Sequence, residues 1–451
     1  MSFYMRWYGI SSNSIRNILS YFVQMVPILP TALVSRAGVS FEDREYWNSA
    51  LLLSEAVSAL LCMPMFFFSL DASNRQEMYL FSLVILSGSM AFFITASSVT
   101  GFMYAKVLQG ASTAMMTVSV LEILTDAVDK HQVGEMVGYV STAMILGVMS
   151  GSPIGGIVFE FGGYYSILSM GFGILALDMA LRLCMIEKRF ALRWLTLPEY
   201  CPYRGHTYIS GYFSCETVFN QRSSSSSGTG GSFDLVKLLR QSRILISLWA
   251  VIVSALVISA FDATLAVFVQ DTFHSSALGA GLIFIPITFA ALLQPFAAYI
   301  SKRFGCRIIA FVAFAALSPT LICLRFIEQD TSFDSSILCV FLLGIGLCIN
   351  LAEPALLIEI QRVLNDMETE NSSVFGDNSA VSQAFSLQIM ARFGGFVLGP
   401  IQGGFISIYY GCDVMTLSLG VLSLLTAVSM LWLSGERGSD GDAERRPLLS
   451  V

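Results

Sequence analysis

The chain has 451 residues, 55% of them hydrophobic and only 13% charged, with a net charge of −7 and a mean hydropathy of +0.69. Soluble domains carry about 25% charged residues. The deficit here runs along the whole chain, which argues against a soluble globular enzyme and for a polytopic membrane protein whose outer surface faces lipid. Basic residues are sparse and fall in short connectors, which excludes a nucleic-acid partner. The net charge itself says little, because orientation follows where Lys and Arg sit.

A bilayer core about 30 Å thick takes roughly 20 apolar residues per helix, and on that measure about twelve spans are predicted. Residues 1–14 read as a cytosolic N-terminus too polar for a cleavable signal. Six spans follow, at Ile15–Leu33, Trp47–Phe68, Met78–Ser97, Phe102–Leu124, Met136–Phe159 and Tyr164–Ile186. They make an N-terminal six-helix bundle over residues 15–186. The first is the weakest, since it holds Arg16, Asn17 and Gln24. Residues 187–243 read as a cytosolic linker, partly disordered, because the Ser/Gly tract Gln221–Ser232 cannot bury enough apolar area to fold.

Six more spans, at Ile244–Val269, Gly279–Ile300, Ile308–Phe326, Ile337–Leu357, Val381–Ile408 and Val414–Leu433, make a C-terminal bundle over residues 244–433. Residues 434–451 read as a disordered cytosolic tail. Its "ERRPLL" resembles an acidic dileucine sorting signal, although such strings are common by chance. Arg75, Lys130, Lys188, Arg189, Lys237, Arg240, Lys302, Arg303, Arg307 and Arg437 fall on one side of the membrane. Arg36, Arg44 and Arg325 fall on the other. The positive-inside rule therefore places both termini in the cytosol. Asn371, in an Asn-Ser-Ser sequon, then lies in a cytosolic loop and stays unmodified. The cysteines lie mostly within apolar runs and read as buried free thiols; Cys201 and Cys215 share the cytosolic linker, where disulfides are rare.

An ionisable group at the bilayer centre costs about 2.5–3.5 kcal/mol on insertion scales, so each such group is a candidate for a substrate or proton pathway. The candidates are Glu55, Asp262 and Gln294, Lys106 and Gln109 on one face of the fourth span, Asn350 and Glu353 on one face of the tenth, and Arg392 near the middle of the eleventh. Asp262 and Glu55 are the leading proton carriers, and Arg392 and Glu353 can pair across neighbouring helices. Pro354, directly after Glu353, can break helix hydrogen bonding there. Asp178 and Arg182 are i,i+4 partners that read as a packing salt bridge. Glu122 and Asp126 read equally well as a gate pair or as solvated helix ends. Only three histidines are present and no His/Cys/Glu cluster has metal-site spacing, so no metal or other cofactor is expected. The absence of a Walker-type loop argues against an ATP-driven pump.

"GVMSGSPIGG" puts glycines at 147, 151, 155 and 156 of the fifth span. "GFVLGPIQGG" repeats the spacing at Gly395, Gly399, Gly403 and Gly404 on the fifth span of the second half. Six plus six spans with this repeat resemble the major facilitator superfamily, whose parallel halves are related by an axis along the membrane normal. Glycines four apart let a neighbouring backbone approach closely. The two stretches are similar to the family's antiporter motif. The second copy has the full pattern with Pro400, whereas the first has Ser152 in the proline place and Pro153 one position late. "AKVLQG" (Ala105–Gly110) resembles the family's Arg-x-x-Gln-Gly, with Lys106 in the arginine place. "VGEMVGYVS", "FEFGGYYSI", "LDMALRLCMIEK", "SAFDATLAVFVQDTF" and "GAGLIFIP" resemble the fungal branch akin to vesicular amine transporters, among the drug:proton antiporters of twelve spans. In the connector "FFSLDASNRQE", Asp71 and Arg75 match the family's conformational motif, while Phe67 and Ala72 depart from it. The first span offers no carboxylate for a substrate amine, so amine specificity does not carry over.

The resemblance implies an all-α membrane protein of two six-helix bundles. It further implies proton-coupled export of an amphipathic organic compound, a drug or secondary metabolite, by a monomer in the lipid bilayer, with the plasma membrane expected first and the vacuolar membrane second. An alternative reading is a non-transporting relative acting as a membrane receptor or partner-binding protein. Sugar or nutrient uptake fits less well, because the glycine-proline motif is typical of exporters.

Overall fold

A computed structural model describes residues 29–69, 75–127, 133–183, 241–327, 331–370 and 380–432. Among these residues every regular element is helical, as expected where no water satisfies backbone polar groups. In chain order the helices are α1 (Leu29–Ala37), α2 (Arg44–Ser69), α3 (Arg75–Thr95) and α4 (Val99–Ala127). The stretch Val133–Leu183 is two helices, α5 and α6, broken at Gly163, where φ is 72°. The second half holds α7 (Ser242–Thr272), α8, α9 (Cys306–Cys323), α10 (Ser332–Glu370), α11 and α12 (Cys412–Trp432). Gly411, with φ 89°, separates α11 from α12. Gly163 and Gly411 each stand seven residues beyond the end of a glycine motif, and only glycine adopts such a φ without strain. The repeat therefore extends to the turn that follows each motif.

Two helices depart from regularity. α8 comes in three pieces, Ala277–Leu282, Ile285–Ala291 and Gln294–Phe304. Pro286 and Pro295 each remove an N–H at the start of a piece. α11 runs Ala380–Pro400, passes through a π-helical turn at Ile401–Phe405 and ends as Ile406–Tyr410. By contrast, α10 continues through Pro354 to Glu370, so the hydrogen bond lost there to the missing N–H does not end the helix.

By length and composition, eight helices among the described residues can cross a membrane. They are α2, α3, α7, α9, α10, α11, α12 and the stretch Gly151–Ala180, which joins the end of α5 to α6. The remainder of the expected twelve are accounted for by α1, by the broken α8, by the rest of α5, and by α4. Several expected boundaries move outward. α10 extends past Leu357, and α1 runs past Leu33 to Ala37.

Each half buries its own apolar core. Leu33, Leu51, Tyr79, Phe93, Phe102 and Leu168 knit α1–α4 and α6 together. Val257, Phe261, Phe314, Leu321, Leu342 and Leu419 do the same for α7, α9, α10 and α12. A third cluster crosses between the halves, with Ala59 and Met63 of α2 and Ala114 and Val118 of α4 against Phe393 of α11. The outward faces carry exposed Leu61, Met65, Phe81, Leu424, Leu425 and Val428, the apolar surface that lipid requires. All six described cysteines, Cys62, Cys306, Cys323, Cys339, Cys348 and Cys412, are free thiols.

Candidate functional site

Charged residues placed inside the membrane by sequence gather in two buried clusters. The first lies where α2, α4 and α7 meet. Lys106 of α4 is 1% exposed and donates from Nζ to Glu55 Oε2 of α2 at 2.7 Å. Its ammonium also lies 5.9 Å from the centre of the Phe93 ring. Gly110, the glycine of "AKVLQG", sits against the Glu55 backbone carbonyl, and a β-carbon there would come within 3.1 Å of Ser58 Cβ. The motif's glycine thus lets α4 close on α2 one turn beyond its lysine. Asp262 of α7 comes from the other half and lies in the field of both Glu55 and Lys106. Lys106 is thus ion-paired with Glu55 of its own half and within electrostatic reach of Asp262 of the other. Gln109, one turn from Lys106, is buried as well.

The second cluster lies within the C-terminal half. Arg392 of α11 pairs through Nη2 with Glu353 Oε2 of α10. Ser254 of α7 donates to the other carboxylate oxygen at 3.0 Å. Glu353 is thereby held by two neighbouring helices. Asn350, three residues earlier, donates from Nδ2 to the Gly346 carbonyl at 2.8 Å and leaves Oδ1 without a partner. Gln294 of α8 is also buried, with Oε1 unpaired. A buried charge is stable only when paired; Lys106 with Glu55 and Arg392 with Glu353 obey that rule, while Asp262 and the two amide oxygens have no such partner.

The glycine motifs do two jobs. On α11, β-carbons at Gly395, Gly399 and Gly403 would come within 2.6 Å of Ala255 Cβ, 2.5 Å of Ser259 Cβ and 2.7 Å of Ala260 Cα. These three glycines press α11 onto α7 of the same half. The fourth, Gly404, sits instead on Ser49 of α2, across the halves. Its counterpart Gly156 likewise crosses between halves, where a β-carbon would come within 2.9 Å of Gly281 Cα on α8. Gly147, Gly151, Pro153 and Gly155 are buried in α5, and Pro400 is buried directly before the π-helical turn.

Sequence reasoning missed the contacts that join the halves at the end where α2 begins and α7 ends. There Arg44 pairs with Asp271 and reaches Gln270 at 3.5 Å, while Gln270 donates to Thr31 at 3.4 Å. One turn deeper, Asn48 donates to the Ala263 carbonyl at 2.8 Å. Arg44 and Asp271 stand at helix ends, where charge is unremarkable, so no pattern singled them out. Also missed was Glu359, which accepts from Arg243 at 3.0 Å and from Arg307 at 2.9 Å. Asp178 accepts from the Tyr79 hydroxyl at 2.9 Å. The side chains of Arg75, Glu122, Asp126 and Arg182 lie outside the described residues, as do Asp71, Cys184, Cys201, Cys215, Asn371 and the linker and tail.

The chain's relatives agree with this architecture. It is 27% identical to the MFS-type transporter ppzB of Metarhizium rileyi, with 92% of each chain covered. It is 22% identical to the chromaffin granule amine transporter of Rattus norvegicus, covering 92% of this chain and 70% of that one. The structure of the human organic anion transporter MFSD10 superposes with a TM-score of 0.63 at 17% identity, covering 93% of this chain and 98% of the other. That likeness shows the fold: two six-helix bundles related by a pseudo-two-fold axis. Residues 14–370 match the family model described as Major Facilitator Superfamily. With its paired halves, repeated glycine motif and membrane-buried charges, the chain belongs to the major facilitator superfamily of multi-pass membrane transporters.

Proposed function

We propose that the protein exports an amphipathic organic compound, a drug or secondary metabolite, in exchange for protons, by alternating access. The observation that carries this reading is the buried Lys106–Glu55 ion pair of the first half, with Asp262 of the second half within its electrostatic reach. A carboxylate beside a cation keeps its charge, and one parted from the cation in a low-dielectric setting takes up a proton. Rocking of the halves changes the separation between Asp262 and Lys106. Each cycle then loads a proton on one side of the membrane and releases it on the other.

Arg392 and Glu353 join α11 to α10 and serve as a conformational latch within the second half. Asp71 and Arg75 of the α2–α3 connector complete the conformational motifs on the cytosolic face. In this reading both termini are cytosolic, the domain limits are those read from the sequence, and the Arg44–Asp271 end faces outward. The protein works as a monomer in the plasma membrane, with the vacuolar membrane second, and needs no metal, cofactor or nucleic acid.

The test is export from proteoliposomes under an imposed pH gradient, read over a panel of amphipathic fluorescent compounds. Wild type should move members of the panel only when the gradient is present. Asp262→Asn should abolish gradient-driven movement while the protein inserts and folds normally. Unchanged export by Asp262→Asn removes that residue from the mechanism, and a wild type inert toward the whole panel removes the exporter reading.

A further inference from the structure

Buried amide oxygens without partners are rare, because leaving an acceptor unmade in a low-dielectric interior costs about 1–3 kcal/mol. Gln294 Oε1 and Asn350 Oδ1 are two such atoms, on side chains only 4% and 5% exposed. Helix register brings them to one level of the fold. Gly346 of α10 sits directly on α8, where a β-carbon would come within 2.8 Å of Ala290 Cβ and 3.1 Å of Ile287 Cα. Both helices run in the same direction through the membrane. One turn further along α10 stands Asn350, and one turn further along α8 stands Gln294, on the same buried face as Ala290.

Local chemistry makes this place acceptor-rich. Asn350 spends its Nδ2 donor on Gly346 of its own helix and so presents only an oxygen. α8 breaks at Leu292–Leu293, directly before Gln294, and Pro295 removes one N–H. The Ala291 carbonyl thereby loses its regular partner in the following piece. Helix breaks inside a transporter's membrane core are typical of binding positions. The nearest carboxylate along α10, Glu353, is already held by Arg392 and Ser254, so no free negative charge is left there for a cation.

We propose that Gln294 and Asn350 form a neutral acceptor pair that binds N–H or O–H donors of an uncharged amphipathic substrate. The assignment rests on the transporter reading and deepens it, by naming what the carried compound must offer. An apolar compound without a donor leaves both oxygens unmade, and this selects against it as it enters. Ordered water bridging the two oxygens without a substrate role is the competing account.

A matched pair of probes separates these. N-octyl-1-naphthamide is neutral and carries one amide N–H; N-methyl-N-octyl-1-naphthamide has the same body and no donor. Binding to the purified full-length protein is read by naphthalene fluorescence and thermal melting. The free amide should bind wild type about tenfold more tightly than its N-methyl derivative, the factor expected for one hydrogen bond to a buried acceptor. Gln294→Met and Asn350→Leu should each erase that preference, with melting temperatures equal to wild type or higher, because each removes an unmade acceptor.

Equal binding of the two probes to wild type, or binding of neither, overturns the proposal. So does a fall of several degrees in melting temperature for both variants, which would mark the oxygens as satisfied by structural water. Gradient-driven export that depends on Asp262 but ignores the N–H defeats this inference alone. Loss of export across the whole panel defeats the transporter reading beneath it.

Discussion

The two halves carry the same motifs and use them differently. Each half buries a cation–carboxylate pair that the sequence marks as lying within the membrane. In the first, Lys106 and Glu55 join α4 to α2, with Asp262 of the other half within electrostatic reach. In the second, Arg392 and Glu353 join α11 to α10, and the remaining contact, Ser254, comes from the same half. The first pair is therefore placed to respond when the halves move against each other, and the second when helices move within one half. The glycines divide in parallel. Gly395, Gly399 and Gly403 weld α11 to α7, whereas Gly156 and Gly404, the last glycine of each copy, touch the opposite half. A duplicated sequence has thus become one half with an intact, proline-marked packing seam and another whose proline is displaced.

The sharpest break of this comparison is a bulky residue at each kind of glycine. Gly399→Leu drives a side chain into Ser259 and the backbone at Ala260. Single overpacked methylenes already cost about 1–3 kcal/mol, and a whole isobutyl group between two helix backbones should exceed that. Loss of monodisperse protein on size exclusion is the expected result. Gly156→Leu meets Gly281 across the halves, where separation belongs to the proposed alternating-access cycle. Folded protein should be recovered, with export lost because the halves no longer close. If Gly399→Leu folds as well as Gly156→Leu, the seam and the interface do not differ as described.

Much of this was legible in sequence because membrane solvent leaves few options. Twenty apolar residues imply a helix, and a lysine such as Lys106 amid apolar neighbours implies a partner. Register on α4 and α10 put Lys106 beside Gln109 and Asn350 beside Glu353. What stayed hidden depends on three-dimensional neighbours. That Gly110 seats itself on Glu55 needs the approach of α4 to α2. That α8 breaks while α10 runs straight through Pro354 cannot be read from proline content, since both helices contain it. The π-helical turn after Pro400 leaves no spacing signal either.

The buried pairs give the next effect in size. Lys106→Met leaves the buried Glu55 carboxylate without its cation. Breaking a buried pair on one side costs about 3–5 kcal/mol, read as a large fall in melting temperature. Lys106→Arg should restore most of it. Arg392→Met should sit at the low end of the same range, because Glu353 keeps the hydrogen bond from Ser254. Equal destabilisation by the two substitutions would remove the distinction between a shared cluster and a self-contained one.

The smallest effect on stability, and the most direct on motion, belongs to Arg44 and Asp271. Asp271 is 48% exposed on its side chain, and an ion pair in that setting contributes about 0–1 kcal/mol. Asp271→Asn should therefore leave the melting temperature nearly unchanged. The pair nonetheless joins α2 to α7 across the halves, beside the contact from Gln270 to Thr31. Weakening a contact present in only one of two conformers shifts the population by its differential free energy. A cysteine at position 31 should then react faster with a membrane-impermeant maleimide in Asp271→Asn than in its parent, by a few-fold, the factor that about 1 kcal/mol supplies. Labelling from the outside of intact cells would place this end of the bundle outward, as the distribution of Lys and Arg predicts. Labelling only after permeabilisation would reverse the orientation, and an unchanged rate would show that Asn48 and Ser49, deeper along α2, hold the two halves together there without the ion pair.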